Sequence, residues 1–154
     1  MRIDETHKRL LEWGYGQPPS ERLAAQVLDA EGYEDVDPSH PLGGPDDGRD
    51  GHCTRDGVDG VWAVYFPRGQ QTFKDVADKL KDDIAAARKH NPNFLVFVTN
   101  QELRLSERTK LRALGGDIDI EVFHNERVAA VLDRPRMAQV RQQFLSIPAI
   151  AVAA

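Results

Sequence analysis

Asp50 closes a glycine- and aspartate-rich loop, Gly43-Gly44-Pro45-Asp46-Asp47-Gly48-Arg49-Asp50-Gly51, that leads toward the apolar string Val61-Trp62-Ala63-Val64-Tyr65-Phe66. A carboxylate at such a place can hold a divalent metal, and the glycines let the chain turn sharply around it. The same aspartate can serve as a turn residue, because Asx side chains bond their own backbone and tolerate left-handed conformations. Asp46 and Asp47 suit solvated turn positions better than ligand positions. A calcium loop of EF-hand type fails, since Gly57 stands where the bidentate glutamate belongs. His52-Cys53 has the residue types of half a zinc site, but Cys53 is the single cysteine and no second pair stands at zinc spacing. Cys53 reads more simply as a small buried residue.

Three further groups have types and spacing suited to chemistry. Glu21 falls in the first turn of an expected helix, where the helix dipole alone favours a carboxylate. Lys79 and Asp83 stand at i, i+4, which brings them together on the flank of an apolar stripe, as a surface ion pair or as a pair turned into a cleft. Asn100 and Gln101 follow an apolar run and suit either a cleft at a strand end or a turn. Arg134, Arg136 and Arg141 suit phosphate contacts or a solvated helix face.

The elements that must position these residues follow from periodicity. Residues 3–13 read as a helix with Leu10, Leu11 and Trp13 facing inward, broken by Gly14-Tyr15-Gly16-Gln17-Pro18-Pro19. Ser20 suits an N-cap for a helix over 21–30, with Leu23, Ala24, Val27 and Leu28 as its buried stripe and Gly32 as its C′ residue. An extended segment over 33–38 precedes the loop. A hairpin over 51–55 and 60–66 turns at Asp56-Gly57. A long helix over 72–90 places Phe73, Val76, Ala77, Leu80, Ile84 and Ala87 on one face. Phe94-Leu95-Val96-Phe97-Val98 has the continuous apolar character of a strand covered on both sides. A helix over 106–114 capped by Ser106, an alternating strand over 117–123 and two helices over 125–132 and 135–145 complete the order. The expected fold is α/β, a central mixed sheet flanked by helices.

At 154 residues, 40% hydrophobic and 29% charged, the chain suits one globular domain, expected over 1–146, with 147–154 as a tail or the start of a linker. No apolar run approaches the roughly 18 to 20 residues of a membrane span, and the first residues lack an apolar signal core. One cysteine suits a reducing, cytoplasmic setting. A net charge of -5 does not mark a general nucleic-acid binder. Distribution qualifies the sum: acid concentrates between Asp29 and Asp59, while the stretch from Arg134 to Gln143 carries only basic charge.

The order of elements and three local strings resemble the restriction endonuclease-like PD-(D/E)XK superfamily, its Mrr-like branch in particular. The strings are the helix from Ser20-Glu21 to Gly32-Tyr33, the loop Gly48-Arg49-Asp50-Gly51 before a hairpin, and a strand, long helix and buried strand ending in Phe97-Val98-Thr99-Asn100-Gln101. The resemblance covers residues 18–125, and each string alone is common. It implies a restriction-endonuclease-like core in which Asp50 is the main ligand of Mg²⁺ or Mn²⁺ and Glu21 a helper. In that family an acid in the next strand and a lysine two residues on complete the centre, the lysine assisting the attacking water. Here that strand reads Trp62-Ala63-Val64-Tyr65-Phe66, with no acid, amide or lysine. The resemblance then points to Lys79, within Lys79-Leu80-Lys81-Asp82-Asp83, as a lysine moved onto the helix. The activity implied is metal-dependent hydrolysis of DNA phosphodiesters by an effector module of a bacterial defence or restriction protein. DNA is the expected partner, and a homodimer and a fused or partner NTPase domain are compatible with that setting. The degenerate strand favours the alternative, a nuclease-fold module that has lost catalysis and serves nucleic-acid binding or dimerisation. A third expectation is a small-ligand or regulatory α/β domain unrelated to nucleases.

Overall fold

A computed structural model describes residues 2–38 and 51–149. Helices α1 (Arg2–Leu11) and α2 (Gln17–Ala30) precede strands β1 (Glu34–Pro38), β2 (Gly51–Arg55) and β3 (Val58–Tyr65). Helix α3 (Phe73–Ala87) then leads through a 3-10 turn, Arg88–His90, to β4 (Phe94–Thr99). The chain continues through α4 (Leu105–Ala113), β5 (Asp119–Phe123), α5 (Asn125–Leu132), a second 3-10 turn, Pro135–Met137, and α6 (Ala138–Leu145). Among the described residues the strands form one mixed sheet in the order β1-β2-β3-β4-β5. The first three are antiparallel neighbours, whereas β3, β4 and β5 run parallel. That change of sense follows from the connections: a tight turn joins β2 to β3, and helical crossovers join β3 to β4 and β4 to β5. The α/β class and the mixed sheet flanked by helices are thereby observed.

Alternation along the strands divides the core into two layers. Trp62, Val64, Val96, Val98 and Phe123 face α2 and α5, where they meet Leu23, Val27, Leu28, Val128 and Leu132. Val61, Leu95, Phe97, Ile120 and Val122 face α3 and α4, where they meet Val76, Leu80, Ile84 and Leu111. Because β4 is covered on both sides, its side chains are apolar from Phe94 to Val98, and Thr99 alone brings a hydroxyl at its end. Burying Leu80 completely gives it the weight of a core leucine, worth about 2–5 kcal/mol against alanine.

Several element ends differ from the sequence expectation for local reasons. Helix α2 starts at Gln17 with Pro18 and Pro19 inside its first turn, because amides there have no intrahelical acceptor to lose. Ser20 is therefore not the cap; it is buried within the helix and its Oγ donates to Gln17 O at 2.7 Å. At the other end Gly32, at φ 91°, does serve as C′. Gly32 N bonds to Asp29 O and Tyr33 N to Leu28 O, both at 3.1 Å, which together make a Schellman motif. Helix α4 begins at Leu105, so Ser106 is not its cap; Glu107 Oε1 accepts from Arg104 N at 2.8 Å instead. Strand β5 starts at Asp119 rather than 117. Beyond α6, Ile147 packs partly buried against the core layer of α2 and α5. Among the described residues no helix is long and apolar enough to cross a membrane.

Candidate functional site

Glu21 and Lys79, named by the resemblance, lie on helices that meet the C-terminal half of β3. Gly51, the residue after Asp50, pairs with Trp62, and the Trp62 indole lies over it so closely that a Cβ at Gly51 would overlap the ring. Trp62 Nε1 donates to His52 O at 3.1 Å and fixes that overlap. Asp50 itself, with Asp46 and Asp47, lies outside the described residues, so its expected ligand role has no geometry to be set against.

Glu21 and Lys79 belong to helices on opposite faces of the sheet. Glu21 is half-buried on α2, one turn beyond Gln17, whose Nε2 donates to Val64 O at 3.3 Å. The start of α2 therefore abuts β3 at Val64. Lys79 lies on α3, and its Nζ donates to Asp83 Oδ1 at 2.6 Å. The Asp83 side chain is 9% exposed and that of Lys79 is 37% exposed, so this is a pair at the edge of the core, between the two readings drawn from its spacing. Lys79 is close enough to Tyr65 for its charge to act on the phenol. Burial and then Asp75 raise the Tyr65 pKa, and Lys79 opposes them, so the phenol stays protonated at neutral pH.

Glu21 and Lys79 are thus placed on either side of β3, one in each layer of helices. Thr99 Oγ1 donates to Tyr65 O at 2.7 Å and Gln17 reaches Val64 O, so two of the backbone carbonyls of Val64 and Tyr65 already accept bonds from side chains. Among the described residues, no group of three or more His, Cys, Asp or Glu side chains is placed to hold a metal ion. The described donors alone do not make the Mg²⁺ centre that the resemblance implies.

The strand ends beside this region are tied by buried amides. Asn100 Nδ2 donates to Leu10 O at 2.7 Å and to Pro67 O at 2.8 Å. Gln101 Nε2 donates to Asn100 Oδ1 and Gly69 O, and its Oε1 accepts from Gln71 N at 2.5 Å. Asn125 Nδ2 donates to Asn100 O at 2.8 Å. Asn100, Gln101 and Asn125 are fully buried, so the turn reading of Asn100-Gln101 holds and the cleft reading does not. An open hollow near this end is lined by Gln70, Gln71, Phe73, Glu102, Arg104 and Glu107, and includes neither Glu21 nor Lys79.

The arginines of the C-terminal segment are also bound to the fold. Arg134 pairs with Glu31 at 2.9 Å, Arg136 Nη2 donates to Ala30 O at 3.2 Å, and Arg141 Nη1 donates to Leu132 O. Arg136 and Arg141 cover carbonyls at the C-terminal ends of α2 and α5, where cations are favoured. Cys53 is buried beside Trp62, and burial pushes its thiol up to about 12, which makes it inert at neutral pH.

One group of polar side chains was not legible as a site. His124 follows β5 directly and shares the face of Ile120 and Val122, toward α4. It is 6% exposed, and Nδ1 has no hydrogen-bond partner among the described residues. Burial, with Arg108 and other nearby arginines, lowers its pKa to about 4, against a smaller opposing effect of Glu126. The only hint in the sequence is composition: α4 and its preceding residue carry Arg104, Arg108, Lys110 and Arg112 against the single acid Glu107. No family model, no curated protein and no solved structure matches this chain.

Proposed function

We propose that the chain is a nuclease-fold module that engages nucleic-acid phosphates without cleaving them. The observation that carries this reading is the chemistry of β3. Where the resemblance asks for an acid and a lysine, Ala63-Val64-Tyr65 offers an apolar strand whose Val64 and Tyr65 carbonyls accept bonds from Gln17 and Thr99. Lys79 is engaged by Asp83. The strand order supports the nuclease-like part of the reading, with an antiparallel β1-β2-β3 meander followed by a parallel crossover to β4. Affinity for a polyanion would come from local charge rather than the net charge of -5, with the basic face of α4 as its source.

Fluorescence anisotropy with a labelled duplex, in chelator and over a series of salt concentrations, tests the binding reading. The expected result is salt-sensitive binding that weakens when Arg104 and Lys110 are both replaced by glutamine. Absence of binding at low salt, or binding indifferent to both substitutions, would count against it.

A second reading keeps hydrolysis. It is favoured by one observation, the half-buried Glu21 on the helix that abuts β3 at Val64. Mg²⁺ is commonly held by one or two carboxylates with the remaining positions filled by water, so Asp50 and Glu21 would suffice as protein ligands. Cleavage that requires Asp50 would establish this reading in place of the first.

A further inference from the structure

We infer that His124, Arg108 and Arg112 form a phosphate-binding site at the C-terminal end of β5, beside the first turn of α5. Among the described residues three buried polar atoms lack partners around this corner: Nδ1 of His124, Nε of Arg108 and, next to His124 in the chain, the acceptor Oδ1 of Asn125. Arg108 stands three residues before Leu111, the α4 residue buried in the core, and so lies on the inward side of the helix. Arg112 follows it at i+4. No ion pair with an acidic residue is made by Arg108 or Arg112 among the described residues, whereas Arg127 is held by Glu121 at 2.5 Å and by Val122 O at 2.9 Å.

The charges meet at His124. Arg108, Arg127 and Arg112 each act on the imidazole in the sense that disfavours its protonation, and Glu126 alone opposes them. A metal ion would be repelled by this surplus of guanidinium, so a cationic ligand is the wrong chemistry. A tetrahedral oxyanion suits it. Guanidinium groups donate in a planar fork that matches phosphate oxygens, and a neutral imidazole donates through one nitrogen. Helix α5 adds to this: its first intrahelical bond of the usual span is Val128 N to His124 O, which leaves the amides of Glu126 and Arg127 without an intrahelical acceptor. The N-cap position is His124 itself, and its side chain makes no capping bond.

The site deepens the nucleic-acid reading by naming one phosphate contact, and it stands or falls by a separate measurement. Inorganic phosphate would be titrated into the whole chain in chelator, with the His124 imidazole followed by NMR. Saturable binding that raises the His124 pKa is expected. Arg112 is exposed and has no acidic partner among the described residues, so Arg112→Gln leaves the fold intact, as an unchanged Tm would show, yet weakens phosphate about tenfold, the loss of one charge-assisted hydrogen bond. Arg108→Gln, tested alongside, weakens it at least as much. Absence of a saturable His124 response, or equal affinity in the wild type and Arg112→Gln, overturns the site. A short oligonucleotide that displaces phosphate from His124 identifies the ligand as a nucleic-acid backbone, and failure to displace it identifies free phosphate. If duplex binding fails while phosphate binds, the nucleic-acid reading falls and the pocket remains; the reverse result removes the pocket alone.

Discussion

Two corners of the same sheet handle polar groups in opposite ways. Around the C-terminal half of β3 the polar groups bond within the fold: Gln17 bonds Val64 O, Thr99 bonds Tyr65 O, and Lys79 bonds Asp83. At the end of β5 a buried nitrogen of His124 and one of Arg108 remain without partners, and neither Arg108 nor Arg112 makes an ion pair with an acid among the described residues. A buried polar atom without a partner costs about 1–3 kcal/mol, so it persists where something other than stability holds it in place. On the proposed reading, β3 lends its polar contacts to the architecture, and the end of β5 is where a ligand would find open valences.

The largest effect expected concerns the tie that holds the β3 corner. Asn100→Ala removes donors from Leu10 O and Pro67 O at once and leaves a buried gap, so it should destabilise the chain by about 3 kcal/mol in urea unfolding. A cost below about 1 kcal/mol would show that the amide network is not structural.

The next effect belongs to the β5 corner and concerns pH. The His124 pKa is depressed from 6.5 to about 4 in the folded state, so the unfolded chain binds the proton first as pH falls. The stabilisation from keeping His124 neutral is fully present above pH 6.5 and is lost as pH drops through 6.5 toward about 4. The loss should reach at most about 3 kcal/mol, and His124→Asn should flatten it. Unfolding curves at several pH values give the slope directly; an unchanged slope in the variant would remove the buried-histidine account.

A smaller effect separates the two corners. Lys79→Met leaves the buried Asp83 carboxylate without that cation, which should cost about 2 kcal/mol, less than a fully buried pair because Lys79 is partly exposed. Duplex affinity should stay unchanged within about twofold once stability is allowed for. Unchanged stability with lost affinity would reverse the assignment and make the β3 corner the functional one.

Much of the fold was legible because it is written locally. Val76, Leu80 and Ile84 repeat at helical spacing, Phe94 to Val98 is apolar throughout because both faces of β4 are covered, and Gly32 marks a helix end that needs positive φ. The start of α2 was hidden by Pro18 and Pro19, which look like breakers but are tolerated in a first turn. The site was less legible for a different reason. Arg136 meets Ala30 across 106 residues of sequence, and the surroundings of His124 are assembled from α4, β5 and α5, so no window of sequence contains them. Lys79 and Asp83 were legible as a pair from their spacing, but whether the pair faces a cleft depends on the helix docking against β3.

The most direct test of the β3 assignment is nicking of supercoiled plasmid by the purified chain with Mg²⁺ or Mn²⁺, beside Asp50→Ala. Neither protein is expected to nick the plasmid under conditions where the duplex is bound. Nicking by the native chain that disappears in Asp50→Ala would contradict it and make the corner around β3 a catalytic centre.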